Sequence, residues 1–177
     1  MPASFERRWQ DNATYNSYYA KNGSKHVAYT EGVFLGYRHF DKSDVKPLFP
    51  FGYGLSYTTF KYSNLNVSPA TFSGDQPVTV SFDVTNTGQR EGAEIGEVYV
   101  SDSHSPVPRP VKELKGFGKV DLKPGETKTI TVTLNRRAFS YYDVGKKAWT
   151  AMPGDFGISV GSSSAKIELN GKVTLNP

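Results

Sequence analysis

An antiparallel β-sandwich is predicted for residues 61–177, preceded by an irregular extension over residues 1–60. Three observations predict it. Apolar and polar residues alternate in short runs along the second region. Turn residues punctuate those runs, and no helical period lies between them. The hydrophobic share of 37%, with Tyr (11) and Phe (11) supplying most of the aromatics, is low for a globular chain but well above the disordered range.

The extension comes first in the chain. Residues 1–60 have no sustained period. They carry aromatic clusters (Tyr15, Tyr18 and Tyr19; Phe49, Phe51, Tyr53 and Tyr57) among many glycines. A segment of this size with so little periodicity buries too small a core to stand alone. It is expected to lie on the sandwich, on a second copy of the chain, or on another domain.

The strands follow. Val78, Val80, Phe82 and Val84 share one face, with Thr79, Ser81 and Asp83 on the other, and Asn86-Thr87-Gly88 ends the run. Gly96, Val98 and Val100 alternate with Glu97 and Tyr99. Pro124-Gly125 marks a turn before Ile130, Val132 and Leu134, which alternate with threonines. Phe156, Ile158 and Val160 precede Gly161-Ser162-Ser163-Ser164. Ile167, Leu169, Val173 and Leu175 flank Asn170-Gly171, a strong hairpin signal. One apolar and one polar face per strand is the signature of two sheets packed face to face. The expected fold is mainly β, an immunoglobulin or fibronectin type III-like sandwich of seven or eight strands. A closed barrel is the structural alternative.

Composition excludes several function classes. No apolar run approaches the roughly 18 residues of a membrane-spanning helix. No membrane partner is expected. With 21 basic and 17 acidic residues the net charge is only +4, and the basic residues are scattered as pairs and singles. No nucleic-acid partner is expected, because that would want a dense basic face. There is no cysteine, hence no disulfide, thiol chemistry or thiolate metal site. Residues 1–8 show no apolar signal-peptide core, and the compartment is left open. Asn12-Ala13-Thr14, Asn22-Gly23-Ser24 and Asn66-Val67-Ser68 match the glycosylation triplet, which matters only in a secreted eukaryotic chain.

No catalytic, cofactor or metal constellation is found. His26, His39 and His104 lack ligand spacing. Asp41, Asp44 and Asp75 form no calcium loop, and Gly52-Tyr53-Gly54 lacks the follower of a phosphate loop. Glycoside hydrolysis needs two carboxylates at set separations, one with a raised pKa. Glu91, Glu94 and Glu97 are the best local cluster, read as an exposed strand entrance. Glu31, set among aromatics, is expected to bond backbone amides or Arg38. Binding is a separate matter, since sugars stack on exposed Trp and Tyr rings. Tyr141, Tyr142 and Trp149 are candidate stacking residues for a polysaccharide. The leading reading of Trp149 itself is the core tryptophan of the sandwich.

Two stretches also resemble a known family. They are Tyr29-Thr30-Glu31-Gly32-Val33-Phe34-Leu35-Gly36-Tyr37-Arg38-His39-Phe40-Asp41 and Pro47-Leu48-Phe49-Pro50-Phe51-Gly52-Tyr53-Gly54-Leu55-Ser56-Tyr57-Thr58-Thr59-Phe60. With Pro2 to Phe5, Trp9, Asn12, Val84 to Gly88, Gly92, Pro106 to Pro110, Leu114 to Phe117, Leu122 to Glu126, Trp149 and Pro153-Gly154, they resemble the C-terminal region of glycoside hydrolase family 3 β-glucosidases. The resemblance covers essentially the whole chain. It implies that residues 1–60 are the tail of the family's α/β sandwich domain plus a linker, and that residues 61–177 are a fibronectin type III-like domain. The family's aspartate nucleophile lies in a Ser-Asp-Trp triplet, with Lys-His sugar ligands upstream. Here only Ser43-Asp44-Val45, Ser101-Asp102-Ser103 and a bare Lys25-His26 occur. The resemblance therefore implies a non-catalytic accessory domain that positions catalytic domains. Its partner would be those domains or a second copy of the chain. Tyr29, Glu31, Phe34, Tyr37, Arg38, Phe49, Phe51 and Tyr53 are the candidate inter-domain or self-association surface. An independent carbohydrate- or lignin-binding module is the alternative, and a standalone hydrolase a second one.

Overall fold

The structure is a computed structural model that describes residues 1–20, 23–43 and 45–177. The triplet at Asn22 and the readings that involve Asp44 lie outside the described residues. The strands are β1 (Phe60–Ser68), β2 (Thr71–Phe72), β3 (Val78–Asn86), β4 (Gly92–Ser101), β5 (Glu113–Leu122), β6 (Thr127–Leu134), β7 (Tyr141–Asp143), β8 (Ala148–Thr150), β9 (Gly154–Ser163) and β10 (Lys166–Leu175). One sheet has the order β1-β3-β6 and the other β2-β10-β9-β4-β5. The two pack as a sandwich of eight strands when the two-residue β2 is counted. Strands β7 and β8 form a separate ribbon.

Alternation explains the core. In β3 every second residue, Val78 to Val84, is fully buried, and it faces Ile130, Val132 and Leu134 of the neighbouring β6 side. From the other sheet come Val98, Val100, Phe156, Ile158, Val160, Val173 and Leu175. Phe72, Phe139 and Phe156 stack at ring separations of 4.8 and 5.2 Å. Gly116 and Gly118 of β5 face Val132 and Ile130, where no Cβ would fit. Their bareness lets the edges of the two sheets close together along β5 and β6.

Three expectations are corrected. Asn170-Gly171 is not a hairpin. It lies inside the continuous strand β10, where Gly171 pairs with Ile158 and sits beneath Leu65 and Val67. The reversal falls instead at Ser164-Ala165. Trp149 is not the core tryptophan but is 50% exposed on the ribbon. Phe139, delivered by a 3-10 turn at Arg136–Phe139, fills the core position instead. Glu97 is not an exposed entrance residue. It is 5% exposed, because the extension covers the outer face of β4.

Two contacts close the extension on itself, and a third is one of several that fasten it to the sandwich. Phe5 and Phe49 form a two-residue bridge, with the Phe5 N–H donating to the Phe49 carbonyl at 2.8 Å. A 3-10 turn at Trp9–Asp11 meets helix α1 (Tyr37–Ser43) through His39 Nε2 and the Asp11 carbonyl, 3.0 Å apart. The Ser164 N–H donates to the Phe51 carbonyl at 2.9 Å, tying the Pro50–Tyr53 turn to the end of β9. At that turn Gly52 has φ +83, and a Cβ there would lie 2.7 Å from both Glu97 carboxylate oxygens and from the Ser163 backbone. Only glycine suits both the conformation and the space.

Candidate functional site

Two places concentrate chemistry. The first is the contact between the extension and the outer face of the larger sheet. Tyr37 packs against Phe51 and Tyr99 at 5.4 and 5.8 Å between ring centres. Its hydroxyl accepts the Leu114 N–H at 2.8 Å. Lys112 Nζ pairs with Asp41 Oδ2 at 2.6 Å. Beneath this cover the Tyr99 hydroxyl donates to Glu97 in a short hydrogen bond. Burial raises the Glu97 pKa above the ordinary glutamate value, and the Tyr99 bond only partly offsets that. Glu94 is raised for the same reason, although Tyr62 donates to it at 2.8 Å.

The second place is a cleft of about 600 Å³ on the side where β5 and β6 meet. Its walls are the loop through Val107–Pro110, the 3-10 turn and the β7–β8 ribbon. At its base lies Arg109, with a side chain 6% exposed. One guanidinium nitrogen donates to Asp102 at 3.0 Å, the other to Glu113 at 2.7 Å, and both reach carbonyls of Phe139 and Ser140 at 3.4 Å. Arg38 and Lys115 approach the same Glu113 carboxylate at 3.4 and 3.5 Å. Burial pushes the Glu113 pKa up. The Arg109 hydrogen bond, with the charges of Lys115, Arg109 and Arg38, outweighs it and holds the pKa below the usual range. Lys115 is shifted down by burial, against the pull of Glu113.

Tyr141, Tyr142 and Trp149 all line this cleft. Trp149 and Tyr142 meet edge to face, 5.7 Å apart at 69°, so they are not a coplanar platform. The Arg137 guanidinium lies 4.2 Å from the Trp149 ring centre, a cation–π pair. Sequence reasoning missed the cations here. Arg137 read as one of a surface pair, and Arg109 lies in a proline-rich loop with no period. The Pro106–Pro110 stretch was the one available signal.

The other candidate residues divide. Tyr37, Arg38 and Phe51 lie against the chain's own sandwich, and Phe49 stacks on Tyr53 at 5.1 Å. Phe34 sits under the Lys42 ammonium at 3.7 Å. Tyr29 is 87% exposed. Glu31 accepts from the Ser17 hydroxyl at 3.3 Å rather than from backbone amides or Arg38. Among the described residues no group of three or more His, Asp or Glu side chains is placed to hold a metal ion, and no helix is long and apolar enough to cross a membrane.

The fold defines a class. Residues 94–164 match the fibronectin type III-like domain family, the region from β4 to the end of β9. The chain is 49% identical over 150 residues to thermostable beta-glucosidase B of Acetivibrio thermocellus, covering 85% of this chain and 20% of that protein. It is 42% identical over 176 residues to a putative beta-glucosidase of Schizosaccharomyces pombe, covering 99% and 20%. Among solved structures, the GH3 beta-glucosidase of Bifidobacterium adolescentis matches with a TM-score of 0.90 and 39% identity, over 98% of this chain and 25% of that one. Beta-glucosidase from Kluyveromyces marxianus in complex with glucose matches at 0.89 and 39%, over 99% and 21%. The chain corresponds to the C-terminal region of glycoside hydrolase family 3 β-glucosidases. It spans about a fifth of the length of these curated relatives.

Proposed function

We propose that the chain is a non-catalytic accessory domain of a β-glucosidase-like hydrolase, which stabilises and positions the catalytic domains. One observation carries this reading. Extension and sandwich together, 98–99% of the chain, superpose as one piece on a quarter or less of much larger β-glucosidase chains. The extension also leaves large aromatic and apolar side chains exposed. Tyr18, Tyr19, Tyr29, Leu55 and Tyr57 are all more than half exposed. Large apolar side chains left exposed in this number are what a contact site presents. The catalytic domains are the occupant we assign to it.

The experiment is a chimera. The C-terminal fifth of an active family 3 β-glucosidase is replaced by this chain, with and without Tyr29→Ser, Leu55→Ser and Tyr57→Ser together. The expected result is an active chimera whose heat inactivation is accelerated by the triple change. Unchanged inactivation overturns the assignment of these side chains. The chain alone is expected not to hydrolyse aryl β-glucosides. Turnover that disappears on changing a single Asp or Glu overturns the non-catalytic reading. Light scattering on the isolated chain checks the other occupant, a second copy seated on the same side chains.

A further inference from the structure

The β5–β6 cleft holds more positive than negative charge. Arg38, Arg109, Lys115 and Arg137 line it, against Glu113 and the Asp102 that pairs with Arg109. Three of these cations share the single Glu113 carboxylate. Arg109 is well satisfied, since both terminal nitrogens are bonded. Lys115 is not. Its ammonium has three donors, its side chain is only 16% exposed, and its one ion-pair contact is at 3.5 Å. Burial, with the nearby Arg109 and Arg38 charges, shifts Lys115 down against the pull of Glu113. An added anion in the cleft would offset that shift.

The rest of the lining narrows the ligand. Thr133, Asn135 and Tyr142 bring hydroxyl and amide groups to the walls, and Trp149 brings a half-exposed ring. A ring for a sugar's C–H face, polar groups for its hydroxyls and surplus cations for a carboxylate define one ligand class. A volume of about 600 Å³ lies within the range of small-ligand sites. We propose that this cleft binds uronic-acid saccharides, one pyranose resting on the Trp149 face that Arg137 does not cover, with its carboxylate facing the cations of the cleft. The proposal goes beyond the accessory role and does not depend on it, because the isolated chain contains every residue involved.

The test is calorimetric titration of the 177-residue chain with trigalacturonic acid, and with xylotriose as the neutral control. The acid is expected to bind at least about tenfold more tightly than the neutral sugar, a difference of about 1.4 kcal/mol. Its affinity should fall as salt is raised. Trp149→Ala and Lys115→Met should each weaken it by about tenfold or more at an unchanged melting temperature. Arg137→Gln, on an exposed turn, is the second cation variant should Lys115→Met fail to fold. The proposal is overturned by the absence of saturable binding, by equal affinity for the neutral sugar, or by variants that bind like the parent. It is also overturned if a triglutamate peptide binds equally well with the same dependence on Trp149. That result would assign the cleft to an acidic protein segment.

Discussion

The sandwich and the extension use aromatic and apolar residues in opposite ways. From β1 to β10 nearly every large apolar side chain that alternation points inward is buried against the facing sheet. Among the described residues of 1–59 no apolar side chain is buried, and Tyr19, Tyr29, Leu55 and Tyr57 stand well out in solvent. The sandwich is stabilised by area removed from water. The extension is held by individual bonds, a bridge, a helix–turn contact and a glycine pressed on a carboxylate. A layer held in this way can be detached without melting what lies beneath it.

Breaking the sandwich should have the largest effect. Phe82→Ala removes a fully buried ring that stacks on Tyr62. It should cost about 3–5 kcal/mol in denaturant unfolding, and the extension should come loose with it. Next is Gly52→Ala. Its new methyl group meets Glu97 and backbone, and its φ is one that alanine resists. The expected cost is about 1–3 kcal/mol, confined to the docking. The Leu114 and Ser164 amides should exchange faster while the main thermal transition stays near its parent value. A single shifted transition with no local loss of protection would show that the two regions unfold as one.

A pH experiment sharpens the same comparison. Glu97 has a folded pKa above its unfolded one because burial under the extension disfavours its charge. Its contribution is therefore fully present below the ordinary glutamate range. It is lost as pH rises through the raised value. Glu97→Gln keeps an acceptor for Tyr99 and should flatten that decline from acid to neutral pH. A variant with the parent's pH profile would remove Glu97 from the account. The smallest effect is expected at Trp149. Half-exposed on the ribbon, Trp149→Ala should shift stability by only about 0.5 kcal/mol. A loss of several kcal/mol would return it to the core.

Legibility followed the same division. Period-two alternation located β3, β6, β9 and the second half of β4, because burial on one face imposes it. β5 was harder to see. Its inward positions Gly116 and Gly118 are selected for close approach rather than hydrophobicity, so no apolar alternation remains to be read. Asn170-Gly171 misled because local turn preference yields to the pairing of β10 with β9 and to cover from β1. In the cleft, the aromatic members stood out by type. The charged ones did not: Arg109, Glu113 and Lys115 are close in sequence, but their burial comes from contact with the 3-10 turn at Arg136–Phe139 and with Arg38, far away in the chain. The buried state of Glu97 was invisible for a related reason: its cover comes from a turn more than forty residues away.

The Phe5–Phe49 bridge has a consequence for chain length. With the His39–Asp11 bond it closes the base of a long excursion, whose outer part, Gly23 to Val33, is exposed at every described residue but Glu31, Tyr29 included. The entropy of closing such a loop grows only logarithmically, about 0.6 kcal/mol for each doubling of length. Foreign segments spliced between Gly23 and Tyr29 should therefore leave the clamp and the sandwich intact. In the isolated chain the excursion can therefore be lengthened at little thermodynamic cost.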